Sequence, residues 1–416
     1  MHESGSRSLP FSPVLATSHP AASDVFAAQA APDTGPSPLL TVAVLSVSSL
    51  TVLANATIAP SLPGLARAFA TTPGIETLAG LVLSLPSLVV VLTATLFGLA
   101  ADRLERRAIL VLALTAYALG GASGALASTM PELLAGRLLL GIGVAGTLTI
   151  ATQLAAEHWH GAARARFMGW QGAAVSAAGI ASLLLGGMLA QWSWRAPFVL
   201  YLVALPFALL AWIAVPRRAV RPNVGGTAET VAFPWSVLAL TGGVLFGAMI
   251  FILLVATRLP FLLVELGVTS TGLIGLTLAL TTVASFPTGL FYGRVRARLE
   301  PRTIAALALA LMGAGFAVIA GARTPSVAML GTVVTGLGLG LIVPNQTVWL
   351  MAHVPEEARG RASGLMTTLL FAGQFVSPLV SGALLTRMEL HTVFLAFALV
   401  AFASAGLLRI TGRGTR

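Results

Sequence analysis

Within this chain of 416 residues, few side chains could do chemistry in an apolar setting. Arg137 and Arg258 stand inside long apolar runs, whereas all 14 acidic residues fall at run ends or between runs. A carboxylate buried at mid-depth would gain affinity for protons, because burial disfavours its charged form. None holds such a place; Glu76, Glu132 and Glu157 come nearest, with Glu132 about one turn before Arg137. The six histidines (His2, His19, His158, His160, His353 and His391) lie away from run centres, and cysteine is absent. Without convergent nucleophiles, acid–base pairs or thiolates, the sequence predicts no enzyme, no bound metal and no cofactor. The chelate-like spacing of His158-Trp-His160 is read as incidental.

Neutral polar residues do reach the middle of the runs. Asn55, Ser84, Gln171, Thr281, Thr282, Asn345, Gln346 and Gln374 are candidate cavity groups, with Trp170 and Phe286 as aromatic neighbours. An apolar pocket holding a few such groups suits an amphipathic or weakly polar small molecule, and a sugar phosphate would call for several arginines. Each of these residues could equally bond one helix to the next.

These side chains need elements that hold them at depth. The chain is 56% hydrophobic and 9% charged, against about 25% charged in ordinary soluble domains. Its apolar residues gather into twelve runs of about 20 residues, the length that spans about 30 Å of hydrocarbon as a helix. The sequence therefore predicts an all-α polytopic membrane protein whose first partner is the lipid bilayer.

All 24 basic residues are arginine. Eighteen fall in the termini and in every second connection; Arg67, Arg195, Arg323 and Arg387 occupy the others. Because positive charge resists translocation, both termini are expected in the cytoplasm of a bacterial-type plasma (inner) membrane. This scatter between apolar runs is not the continuous basic face that binds nucleic acid.

A shift of 195 residues aligns the two halves. Gly98 falls on Gly293, Gly141 and Gly143 on Gly336 and Gly338, Arg164 and Arg166 on Arg359 and Arg361, Gly169 on Gly364, and Gly187 on Gly382. Six spans per repeat is an even number, so the repeats insert the same way up and can rock about a shared midplane site. The expected division is a disordered tail (1–37), a six-helix bundle (38–215), a basic linker (216–233), a second bundle (234–409) and a short C-terminal tail (410–416).

Several motifs resemble the major facilitator superfamily. Gly98-Leu-Ala-Ala-Asp102-Arg103-Leu-Glu-Arg106-Arg107 is similar to its loop 2–3 signature, and Leu134-Ala-Gly-Arg137-Leu-Leu-Leu-Gly141-Ile-Gly143 to its helix-4 signature. Ser193-Trp-Arg195-Ala-Pro-Phe198 resembles the approach to helix 6, and Asn55-Ala-Thr-Ile-Ala-Pro60-Ser-Leu-Pro63 resembles helix 1 of drug and metabolite exporters. The resemblance implies a monomeric secondary transporter with 12 helices in two bundles, exporting a small-molecule substrate by alternating access with protons as coupling ion. It implies a gating latch at Gly98, Asp102, Arg103, Arg106 and Arg107, and a coupling role for Arg137 with Gly141, Gly143 and Glu132. Arg258, late in helix 7, is expected to reach out to the membrane interface. Family antiporters often carry Gly-Pro-x-x-Gly-Gly in helix 5. Here that stretch reads Ser182-Leu-Leu-Leu-Gly186-Gly187, which keeps an importer or uniporter open as the alternative.

Overall fold

In a hydrocarbon solvent every backbone group must find its partner inside its own segment, so each apolar run closes into a helix. The computed structural model describes residue 2 and residues 36–101, 103–217 and 233–411. Most of both tails, most of the linker and Asp102 lie outside the described residues. Among the described residues, twelve helices are long and apolar enough to cross a membrane. They are α1 (Pro38–Ala68), α2 (Ile75–Ala101), α3 (Arg106–Ala125), α4 (Met130–His158), α5 (Gly161–Leu189) and α6 (Ala196–Ala214) in the first half. The second half holds α7 (Trp235–Glu265), α8 (Thr271–Leu290), α9 (Pro301–Ala320), α10 (Pro325–Met351), α11 (Glu356–Leu385) and α12 (Leu390–Ile410).

Local signals place the ends. Ser37 Oγ accepts from Leu40 N to open α1, and Thr129 with Glu132 forms a reciprocal capping box at the start of α4. Proline stands in the first turn of α9 and α10, where its missing N–H costs nothing. The first helix runs past the length of about 20 residues expected of an apolar run. Pro60 and Pro63 turn the chain through a 3₁₀ segment, Ala59–Ser61, and it then resumes as a helix to Ala68.

The halves repeat each other in contact as well as in sequence. Within the first, α1 packs on α5, α2 on α4, and α3 on α4 and α6; the second pairs α7 with α11, α8 with α10, and α9 with α10 and α12. The likeness extends to single contacts. A Cβ on Gly143 would lie 2.5 Å from Tyr117 N and 2.7 Å from Ala113 O; one on Gly338 would meet Met312 N and Ala308 O, the residues 195 further on.

Two helix pairs make most of the contact between the halves, α2 with α11 and α5 with α8, with smaller contacts of α1 with α7 and α8 and of α2 with α7. Their seam is tight at the arginine-poor end. A Cβ on Gly80 would lie 2.6 Å from Pro378 Cβ, and one on Gly187 would lie 2.6 Å from Thr271 O. The 195-residue counterparts, Gly275 against the Leu183 carbonyl and Gly382 against Thr77, are equally close. Five turns away, at 18 residues, stand Gly98, Gly169 and Gly364 on the same helix faces, with Gly293 just beyond α8. Among the described residues, none of these four has a heavy atom of another part of the chain within 4 Å of where its Cβ would be. The halves therefore touch at the arginine-poor end and part towards the arginine-rich end.

Candidate functional site

The parted halves leave a cavity whose floor is the seam. On α2 the seam face runs through Thr77, Gly80, Ser84 and Ser87, and the same face returns five turns on from the first two at Thr95 and Gly98. Thr95 is exposed. On α5 and α8, Trp170 (64% exposed) and Phe286 (48%) also face open space. Both belong to the arginine-rich halves of their helices.

At mid-depth a cluster of neutral groups joins the bundles. Asn55 Nδ2 on α1 donates to Gln374 Oε1 on α11 at 3.1 Å, and Ser87 Oγ on α2 donates to the same oxygen at 2.9 Å. Gln374 Nε2 has only Met249 Sδ on α7, at 4.0 Å, and Asn55 Oδ1 accepts nothing among the described residues. The cluster thus holds an idle acceptor and a weakly engaged donor, both on half-buried side chains. A ligand's acceptor could take the Gln374 Nε2 donor, whereas Asn55 Oδ1 is closed off from open space and would first have to be uncovered. The opposite side of the seam is different: 195 residues separate Gly179 from Gln374 and Ser87 from Thr282, so a glycine on α5 faces a threonine on α8.

The remaining candidates fall elsewhere. Gln171 Nε2 donates to Ser48 Oγ at 2.8 Å, bonding α5 to α1 beside the cavity. Ser84 and Thr281 are buried, their hydroxyls without partners among the described residues. Asn345 does not border open space: fully buried, it donates to Pro301 O at 2.9 Å and accepts from Tyr292 Oη at 3.4 Å. It braces the start of α9 against α10. Burial pushes the Tyr292 hydroxyl above its ordinary range, with Arg296 partly offsetting, so it stays a neutral donor. Gln346 is also fully buried, and its amide finds no partner among the described residues.

Arg137 is fully buried and meets neutral partners. Nη1 donates to Tyr201 Oη and Nη2 to Gly121 O, both at 3.1 Å, and the guanidinium lies over Phe198 and Tyr201. Tyr201 Oη donates in turn to Ala54 O at 2.8 Å, and Tyr117 Oη to Leu50 O at 2.8 Å. Arg137 thereby ties α3, α4 and α6 to the α1 backbone one residue from Asn55. Glu132 is occupied by its cap, its Oε2 accepting from Ser128 N at 2.8 Å and Thr129 N at 3.4 Å. Gly141 packs against Pro86 and Val89 of α2, and Gly143 against α3. At the arginine-rich end Arg106 pairs with Glu157, and Arg107 lies over Trp212 at 3.9 Å. Arg103 is exposed.

Arg258 overturns the expectation that it reaches the interface. It is 1% exposed and spans the seam, for reasons taken up below. Sequence reasoning also missed Ser87, Tyr117 and Tyr201. Their signals were present: Ser87 lies three residues from Ser84 on one helix face, and two of only three tyrosines stand inside apolar runs. Among the described residues no group of three or more His, Cys, Asp or Glu could hold a metal.

A pair of repeated six-helix bundles around a one-sided cavity defines a carrier of small molecules. The Major Facilitator Superfamily family model matches residues 44–270 and 239–414, and the chain belongs to that family. The chain is 29% identical over 348 residues to the class G tetracycline resistance protein of Vibrio anguillarum, covering 80% of this chain and 87% of that one. It is 24% identical over 389 residues to the bacillibactin exporter of Bacillus subtilis, covering 87% and 93%. Its fold matches the inward-open xylose transporter XylE of E. coli with a TM-score of 0.72 at 15% identity, covering 88% and 94%.

Proposed function

We propose that this transporter exports small, amphipathic organic molecules by alternating access, driven by a proton gradient across a bacterial-type inner membrane. Both termini are then cytoplasmic, the arginine-rich end faces the cytoplasm, and the described state is inward-open. Residues 38–215 and 234–409 rock as two bodies joined by the linker 216–233, and the monomer suffices.

The observation that carries this reading is the one-sided cavity with the Asn55–Ser87–Gln374 cluster as its floor. A solute loaded from the cytoplasm meets neutral donors and acceptors in apolar walls, which suits a weakly polar molecule better than an ion. The outward direction is supported by the two relatives, one named for tetracycline resistance and the other an exporter. Asp102 serves as the latch of the arginine-rich end when that end closes, aided by Arg103, Arg106 and Arg107.

An importer or uniporter is the second reading, favoured by Leu183 standing where family antiporters often carry proline and by the lack of a carboxylate at any span centre. Proteoliposomes with an imposed pH gradient separate the two, with tetracycline as the probe. Accumulation that follows the gradient and collapses with a protonophore is expected. Tetracycline equilibration insensitive to the gradient would instead establish the second reading.

A further inference from the structure

Arg258 departs from the repeat. Its 195-residue counterpart is Pro63, so nothing equivalent stands on the other side of the seam. Its three guanidinium nitrogens are all engaged. On α11, Nε donates to Ser381 Oγ at 2.9 Å and Nη2 to Pro378 O at 3.3 Å. On α2, in the other bundle, Nη1 donates to Glu76 O at 3.1 Å. Pro378 is the residue that Gly80 of α2 packs against, so the guanidinium bonds α11 at one of its close contacts with α2 and bonds α2 itself one turn away, at Glu76.

We propose that Arg258 is the lock of the arginine-poor end, and that opening to that side requires α2 to leave its guanidinium. The proposal rests on the alternating-access reading above and adds the residue that sets the balance between its two states. A charge-assisted hydrogen bond resists breaking more than a neutral one. Among the described residues, the corresponding α5–α8 contact has only the neutral bond from Thr271 Oγ1 to Gly187 O at 2.7 Å, so the lock is one-sided.

The lock can also release. Arg258 itself borders a vestibule of about 450 Å³ that is also lined by Glu76, Phe261, Glu265, Arg387 and Glu389. When α2 withdraws with its carbonyl, Glu265 on the lock's own helix and Glu389 before α12 offer carboxylates from the half that keeps Arg258. The guanidinium is then never left buried without a partner, the situation that makes broken buried pairs costly. The closed-state bond goes to the Glu76 backbone rather than its carboxylate, which gives the proposal a distinctive signature.

The chain contains no cysteine, so introduced cysteines act as unique reporters. Leu183→Cys reports on the closed seam, where Leu183 is 7% exposed, and Thr95→Cys on the open mouth. With a membrane-impermeant maleimide, Arg258→Met is expected to raise labelling of Leu183→Cys and lower that of Thr95→Cys. Each change should be about tenfold, the scale of losing one charged hydrogen bond across a two-state seam. Arg258→Lys should fall between, and Glu76→Gln, which keeps the carbonyl and removes only a nearby charge, should move the reporters far less than Arg258→Met.

A rise at both reporters in Arg258→Met would mean general loosening and would overturn the lock, as would a Glu76→Gln effect equal to that of Arg258→Met. Gly80→Leu, which wedges the same seam against Pro378, separates the two levels of the argument. If it shifts the reporters and Arg258→Met does not, alternating access stands and the lock falls. If neither variant shifts them, both fall. Should Arg258→Met not assemble, Ser381→Ala must move both reporters in the same directions by a smaller factor, and no movement refutes the lock.

Discussion

At the scale of single residues, the cavity floor is defined by what its amides leave unpaired. Gln374 accepts from Asn55 and Ser87, yet among the described residues Asn55 Oδ1, itself closed off from open space, accepts nothing, and Gln374 Nε2 has only Met249 Sδ. Gln374→Leu keeps roughly the same volume, removes both acceptor bonds and presents no donor. A net hydrogen bond is worth about 1 kcal/mol, so losing one to the solute and disordering Asn55 should raise the transport KM about tenfold. Tetracycline uptake into proteoliposomes measures this, with the variant's thermal melt as control. An unchanged KM would remove Gln374 from the binding surface. The rest of the site was unevenly legible in the sequence. Asn55 and Gln374 announced themselves as amides in apolar runs, but so did Asn345 and Gln346. Both are fully buried away from the cavity, because a polar side chain at depth answers equally well to a solute or to a neighbouring helix. Arg258 misled for a related reason: its depth along α7 was readable, while its bond to the other bundle depends on a tertiary contact 182 positions away.

Helices carry a clearer message, because the bilayer fixes their length and the repeat fixes their pairing. All twelve spans were legible from hydropathy, and the parallel repeat from the 195-residue spacing of glycines and arginines together with six spans per half. What periodicity could not supply was which glycines are in contact. The structure divides the repeated glycines of α2, α5 and α11 into a packed tier (Gly80, Gly187, Gly382) and an empty tier (Gly98, Gly169, Gly364), 18 residues apart on each helix. If the halves rock, the empty tier must pack when the arginine-rich end closes. Leucine at Gly169 or Gly364 then clashes with nothing in the present state, and should leave the melting temperature unchanged while cutting transport about tenfold by excluding the other state. Leucine at Gly187 faces Thr271 O and backbone of Gly272 and Gly275, so overpacking should cost about 1–3 kcal/mol and lower the melting temperature itself. Equal stability losses in both tiers would show that these glycines serve only folding.

For the whole molecule, charge and shape make one joint statement. The end at which the bundles part is also the end that carries most of the arginines, and the two facts have independent origins. Arginine placement records which loops resisted translocation. The opening records where the seam contacts of α2, α5, α8 and α11 stop. Their coincidence means that orientation and conformation can be read by one reporter. Thr95→Cys lies on the α2 seam face at the open end. In everted membrane vesicles it should react readily with a membrane-impermeant maleimide, and in right-side-out vesicles it should stay protected. Leu183→Cys should stay slow in both, because the closed seam covers it from one side and the floor of the cavity from the other. The opposite pattern, with Thr95→Cys labelled only in right-side-out vesicles, would invert the molecule in the membrane. An outward-facing cavity would then receive its solute from outside, and export would give way to uptake with no change in any contact described above.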